Sequence, residues 1–499
     1  MPRILGVVSL AVLCFVFLGN ALKSVVTSTV FVSEGEFASF LNISVDKTQI
    51  LVELLIGSSV MALALAPFLL TRARAQRIAT ICALTAGACY LALGLTLVMG
   101  PALFVRELVV ILTFALSGFC ISFFAPIAQL AINEIENERE RVLLTTVWTS
   151  AQPVAFLITP QLVKYVAMDI GTGNYFLIFA AFPIFYLLLT RKVLPHGASP
   201  EHSQGQSLGQ PPRPTVPRPP LSSIVTIILG IAAFEAWTIS NSLAGVTAPV
   251  SLGLMTGFFL ISAFALVKFR QKKASTNTAS RVPISQPPLA KIRASSLPPT
   301  ALFLLIGLFL LEIPSTGFYD AAYLVRHLCS TNLIQDRASL GAAAQIAAVA
   351  LGGGLFVRWP QMMPVLLVTG LLLLLIGTTG FVTYPDLAVD ASFFYTSKMI
   401  SSAGMGLITT VIVGVVMCQC RGNPVMALLP ALVIMFGTEF GLEILEIVYQ
   451  IAKMLGQDEV SAYRTIFYAQ VAAIIIAFIP TIEGLWLNHK ASRAGAQIA

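Results

Sequence analysis

The chain reads as an all-α polytopic membrane protein: fourteen transmembrane helices arranged as two six-helix lobes plus an inserted helix pair. Three observations carry that expectation. Hydrophobic residues make up 57% of the 499 residues and charged residues only 11%. Apolar stretches of about 20 residues, enough for a helix to cross ~30 Å of hydrocarbon, recur along the whole length. Lys and Arg collect in alternate joints between the stretches. Continuous rather than alternating apolarity selects helices over a barrel, because backbone groups deprived of water must be satisfied within each segment.

The first six spans lie near 4–32, 48–71, 78–100, 105–133, 142–168 and 173–190. Met1-Pro2-Arg3 before an apolar run imitates a secretory signal, but the run continues past Asn20 and Lys23 to Val32 and reads as a permanent helix. Two further spans lie near 221–243 and 247–268, and the last six near 300–325, 337–357, 362–384, 390–418, 425–453 and 463–487. Basic joints carry Arg72, Arg74 and Arg77, then Arg139 and Arg141, Arg191 and Lys192, Arg358, Arg421, and Lys490 with Arg493. The joints between them are acidic or nearly neutral, with Glu34, Glu36 and Asp46 in the first and Asp458 with Glu459 in the last. The alternation predicts a multi-pass protein of the cytoplasmic (inner) membrane with both termini cytoplasmic.

Composition shifts twice in mid-chain, at two stretches rich in Pro, Ser, Gln and basic residues. The expected organisation is an N-terminal six-helix lobe over 1–194, a cytoplasmic linker over 195–220 and the inserted pair over 221–268. A second linker over 269–299 and a C-terminal six-helix lobe with its tail over 300–499 follow. Two equal blocks suggest an internal repeat, with a binding site where the repeats meet. Pro67-x-Leu69-x-x-Arg72 ends the second helix of the first block, and Gly353-x-Leu355-x-x-Arg358 ends the second helix of the other.

Ionisable groups inside spans cost roughly 2.5–3.5 kcal/mol each on insertion scales, so each calls for a partner, a watery cavity or a function. Helix one carries Asn20, Lys23 and Thr27 on one face, and helix nine carries Glu312, Thr316, Tyr319 and Tyr323 on one face. Helix twelve adds Tyr395, Lys398, Ser402 and Thr409, and helix thirteen adds Glu439, Glu443 and Glu446. Hydroxyls alone serve as interhelical glue, whereas Lys23 and Glu312 point to a solute site. Lys23 has a structural alternative, a pair with Glu53 at similar depth on helix two. Glu312 and Glu439 are the proton-site candidates, with Glu53 next; Glu235, in the inserted pair, reads as a helix-pairing or lipid-shielded group outside the core.

The layout of six, two and six helices, the basic joints of Arg72, Arg77 and Arg358, and the run Gly118-x7-Pro126-Ile-Ala-Gln129 resemble the fourteen-helix drug:proton antiporter family of the major facilitator superfamily. Thr71 stands where that family has Asp, and Phe114 where it has Arg. The resemblance implies that helices one, four, nine and twelve line a central cavity, and that Arg72, Arg77 and Arg358 belong to the conformational joints. It also implies multidrug efflux by alternating access: proton-coupled export of an amphipathic organic compound. The alternative is proton-linked or facilitated uptake of a small organic solute.

An enzyme is not expected, since the unusual residues are spread through both halves rather than gathered at one membrane face; an integral-membrane enzyme or sensor is the lesser alternative. No phosphate-cradling Gly-x-x-x-x-Gly-Lys motif occurs. Cys418-x-Cys420 lacks a second ligand pair, so no metal and no cofactor are expected. The net charge of +7 belongs to inner loops and anionic headgroups rather than to nucleic acid. The expected partners are a small-molecule substrate, protons and the lipid bilayer, with any periplasmic adaptor unknown.

Overall fold

The computed structural model describes residues 9–43, 48–135, 137–194, 221–244, 249–251, 253–258, 260–261, 298–315, 331–383, 391–420 and 424–496. Among them the principal helices are α1 (Leu10–Val32), α2 (Gln49–Leu69), α3 (Arg72–Met99) and α4 (Leu103–Ser122, continued as Phe124–Asn133). Next come α5 (Glu138–Leu162), α6 (Thr172–Phe179, continued as Ala181–Val193), α7 (Leu221–Ala244) and α8 (Pro249–Phe258). The remainder are α9 (Pro299–Ser315), α10 (Thr331–Arg358), α11 (Met363–Thr383), α12 (Ala391–Gln419), α13 (Leu429–Met454) and α14 (Glu459–Ala496). Ten of these are long and apolar enough to cross a membrane. Among the described residues α7, α8 and α9 offer shorter apolar stretches, and α13 carries three glutamates. The protein is an all-α polytopic membrane protein.

Helix ends follow local chemistry. Asn137 caps α5, its side chain accepting from the Arg139 N–H at 3.0 Å, and Glu138 and Glu140 in the first turn face the positive end of the helix dipole. Asp458 caps α14 by accepting from the Ser461 N–H at 3.0 Å, which holds its carboxyl below the usual range. Gly100 closes α3 at φ +57°, a left-handed conformation that a side chain would strain. Pro153 and Pro160 lie inside α5, which ends in a π-helical turn at Val163–Ala167. The first acidic joint holds more structure than a connector: Glu34–Leu41 is a short helix, and Thr172 donates a hydrogen bond to Glu36.

The two lobes repeat one packing scheme. In the first, α1 packs on α4, α5 and α6, while α2 and α3 pack on α4 and α3 on α6. In the second, α9 packs on α12, α13 and α14, while α10 and α11 pack on α12 and α11 on α14. The seam between them is reciprocal. Helix α2 meets α13, the fifth helix of the other lobe, and α5 meets α10, the second helix of the other lobe. Helix α5 also touches α12. Such a crossed pattern is that of two similar units related by a pseudo-two-fold axis.

Small residues set the closest approaches. A Cβ on Gly118 would overlap Ser58 of α2 and lie 2.6 Å from the Leu55 carbonyl, which accounts for the glycine of the fourth-helix run. On α11 and α12, a Cβ on Gly404 would strike the Leu374 backbone nitrogen and lie 2.6 Å from the Gly370 carbonyl. Gly404→Val is therefore expected to destabilise the second lobe by about 1–3 kcal/mol, the usual cost of overpacking. Thermal unfolding of the purified protein in detergent measures it. An unchanged midpoint would show that α11 and α12 separate at no cost.

The inserted pair does not stand apart. Helix α7 packs on α2, and Phe234, Trp237 and Phe258 of α7 and α8 form an apolar cluster with Phe436, Phe440 and Ile447 of α13. Ring pairs at 5.3 Å (Phe234 with Phe436) and 5.1 Å (Phe234 with Phe258) hold it together. The pair thus covers the α2–α13 side of the seam.

Candidate functional site

A small cavity sits at the meeting of α1, α2, α4, α5 and α13, with a volume of about 30 Å³, room for one water-sized molecule. Its polar wall consists of Asn20, Lys23, Ser122, Trp148 and Gln152, and its apolar wall includes Leu63, Ile121, Ile434 and Met435. Five helices of both lobes thus close around one point.

Asn20 and Lys23 reach this point from α1 as their helical spacing predicts. Asn20 Nδ2 donates to the Trp148 carbonyl at 2.8 Å, tying α1 to α5. The Trp148 indole N–H is buried with no acceptor, so an unused donor borders the cavity. Lys23 Nζ crosses to α13, where it meets Met435 Sδ, and its charge partner is Glu439, one turn further along the same helix. Lys23, for which a pair with Glu53 was the structural alternative, thus makes a contact between lobes. Thr27 donates to the Lys23 carbonyl at 3.1 Å, a bond inside its own helix.

Glu439 is 4% exposed, and neither of its carboxyl oxygens has a well-formed hydrogen bond. Its electrostatic neighbours are Glu235 of α7, Glu443 of its own helix and Lys23. Glu53 on α2 in turn neighbours Glu235. Glu312 is equally buried but is engaged by α13, accepting from the Thr438 hydroxyl at 3.2 Å beneath Gly437. On α12, Lys398 and Ser402 lie against Gly341 of α10, and Tyr395 is half-buried one turn away. None of these α9 and α12 residues borders the cavity. Thr316, Tyr319 and Tyr323 lie outside the described residues, as does the Arg72 side chain.

At the joints, Arg77 is exposed, and Arg358 is exposed with its guanidinium 4.8 Å from the centroid of the Trp359 ring. The glycine of the second joint run has a clearer role, since a Cβ on Gly353 would overlap the Thr146 side chain of α5. Near the same end, Pro424–Ala427 packs on α2 and α4. Both halves of the seam therefore close at the end of the bundle that carries the basic joints.

Trp148, Gln152 and Met435 line the cavity and are missed by sequence reasoning, which names Glu235 but reads it as lying outside the core. Trp148 and Gln152 are spaced i, i+4 on α5, a stripe that marks one face but not which helix it confronts.

No protein-family model matches the chain, and no curated protein matches it in sequence. Solved structures do. The human organic anion transporter TETRAN superposes with a TM-score of 0.58 at 13% identity, over 94% of this chain and 99% of that one. The proton:xylose symporter XylE gives 0.58 at 12% identity, over 94% of this chain and 95% of that one. The chain has the major facilitator fold. A bacterial homologue of the iron transporter ferroportin, in its outward-facing state, gives 0.56 at 12% identity over 95% of this chain and 99% of that one. The likeness spans nearly the whole of each chain and so takes in both lobes and the crossed seam.

Proposed function

We propose that the chain is a secondary transporter that moves a small amphipathic organic solute by alternating access between its two lobes. The observation that carries this reading is the point where Asn20, Lys23 and Trp148 of one lobe face Met435 and Glu439 of the other. Rocking the lobes apart on either side would open that point to one face of the membrane at a time. An ammonium and an unused indole N–H favour a solute with an anionic or acceptor-rich group, and Leu63, Ile121 and Ile434 favour an apolar body. Organic anion transport and proton:xylose symport, named for two of the structural neighbours, belong to the same broad class.

Protons enter through Glu439. An ionised Glu439 and an anionic solute compete for the one Lys23 ammonium, and a proton on Glu439 releases Lys23 to the solute. Proton and anion then bind together and move in the same direction, so solute affinity rises as pH falls. This linkage favours proton-linked uptake over export against proton entry. The reconstituted protein should accumulate organic anions in vesicles whose exterior is made acidic, collapsing the gradient as solute enters. Solute leaving as protons enter would reverse the assignment to antiport, and no flux of any compound would remove the transport reading.

The inner membrane, with the basic joints cytoplasmic, is the orientation we propose. A cysteine at Ser39, exposed on the short helix of the first acidic joint, should react with an impermeant maleimide in intact cells, and one at Glu138 should not. The opposite pattern would invert the protein.

A further inference from the structure

The inserted pair brings a carboxyl group into the core. Glu235 of α7 lies over Gly57 of α2, where a Cβ would overlap its carboxyl, and interacts through that carboxyl with Glu439 of α13. Only a residue without a side chain at position 57 admits it. Glu235 Oε1 and both Glu439 oxygens are buried without a well-formed hydrogen bond, so each group faces the other with acceptor capacity unused. Around them stand Glu53 from α2, Glu443 from α13 and Lys23 from α1, while Glu312 of α9 is turned to Thr438. The stretch of α14 between Arg464 and Glu483 has no charged residue. Three further carboxyl groups thus stand around Glu439, which alone among them is paired with the Lys23 ammonium, and like charges so close together cannot all be carried at once.

We propose that Glu235 and Glu439 form a carboxyl dyad that holds a proton between them, so that the inserted helix pair supplies half of the proton site. A metal cation is not the occupant favoured here, since among the described residues no three acidic, His or Cys side chains converge as ligands. The role of the dyad in driving solute rests on the transport reading above; the dyad itself does not. Its proton is taken up when the α2–α13 seam exposes the pair to one aqueous face and released at the other.

The test needs no solute. The full-length protein, purified in detergent, is titrated while infrared difference spectroscopy follows the protonated carboxyl band, in the wild type and in Glu235→Gln, Glu439→Gln and the double variant. Two interacting carboxyls titrate in two steps that belong to the pair, and each single variant should leave one step displaced by roughly one pH unit or more from both. The double variant should lose both steps. Gly57→Ala, which displaces the Glu235 carboxyl without altering its chemistry, should reproduce the displacement seen in Glu235→Gln. A remaining carboxyl that titrates at its wild-type midpoint in either single variant would overturn the dyad, as would midpoints that move when sodium replaces choline in the buffer. A displaced step in a protein that drives no solute flux would support the dyad and remove the transport reading.

Discussion

Glu439→Gln is expected to abolish pH-driven solute accumulation while leaving solute exchange between equal pH compartments in place. Gln keeps the shape of the side chain but cannot gain or lose a proton. Its target is the carboxyl that is buried, lacks a well-formed hydrogen bond and partners Lys23 across the lobes. Glu312 has the Thr438 hydroxyl for company, so its Gln variant should behave more mildly. Linkage sets the size of the effect. Coupling between two bound species is typically worth about 1–3 kcal/mol, or about 5- to 150-fold in affinity, and the pH dependence of solute binding should shrink by that whole factor. Solute binding measured at two pH values, beside flux in vesicles, reads both quantities. A variant that accumulates solute as the wild type does would exclude Glu439 as the carrier and return attention to Glu312.

Gly353→Leu should arrest the cycle with the basic end of the bundle open. Even a Cβ at this position overlaps Thr146 across the α5–α10 seam, and leucine adds a branched side chain beyond it. Overpacking costs about 1–3 kcal/mol. Borne only by the conformer in which the seam is shut, that cost lowers its population by roughly 5- to 150-fold. Within one lobe α5 and α10 are never partners, so the fold itself should survive and the melting point should change little. A cysteine at Gln152, on the cavity wall, should become more reactive from the basic face in the Gly353→Leu background and no more so from the opposite face. Unaltered reactivity together with unaltered flux would show that the seam does not gate the cavity.

The spans were legible because hydrocarbon leaves the sequence so little choice: apolar length and the alternation of basic and acidic joints report the same helices. Of the α1 stripe, Asn20 and Lys23 line the cavity, while Thr27 bonds within its own helix. Partners were not legible. Spacing along α1 gives the depth of Lys23, but α2 and α13 both flank that depth, and the pair with Glu53 and the pair with Glu439 look alike until the lobes are docked. The place of Glu235 was hidden for a related reason. Its insertion cost demanded a partner, yet a helix pair inserted between two equal blocks reads as an appendage, and the close approach at Gly57 that admits the carboxyl is visible only in three dimensions. Glu312 was read as a site residue from its charge and the α12 residues were placed at the cavity by the resemblance; in this conformation Glu312, Lys398 and Ser402 lie against neighbouring helices.

Chain order gives the covered seam a meaning for biogenesis. When α7 and α8 leave the ribosome, α2 is already in the bilayer and α13 has yet to be made. Helix α7 can dock on α2 at once, but the face of Phe234, Trp237 and Phe258 that packs on α13, and the Glu235 carboxyl that meets Glu439, are made before that helix exists. An unfilled aromatic face beside an intramembrane carboxyl is a strong lure for the right late-arriving helix and a poor surface to leave exposed. A pair made between the lobes and packed on both is thus placed to guide the second lobe onto the first as it is synthesised.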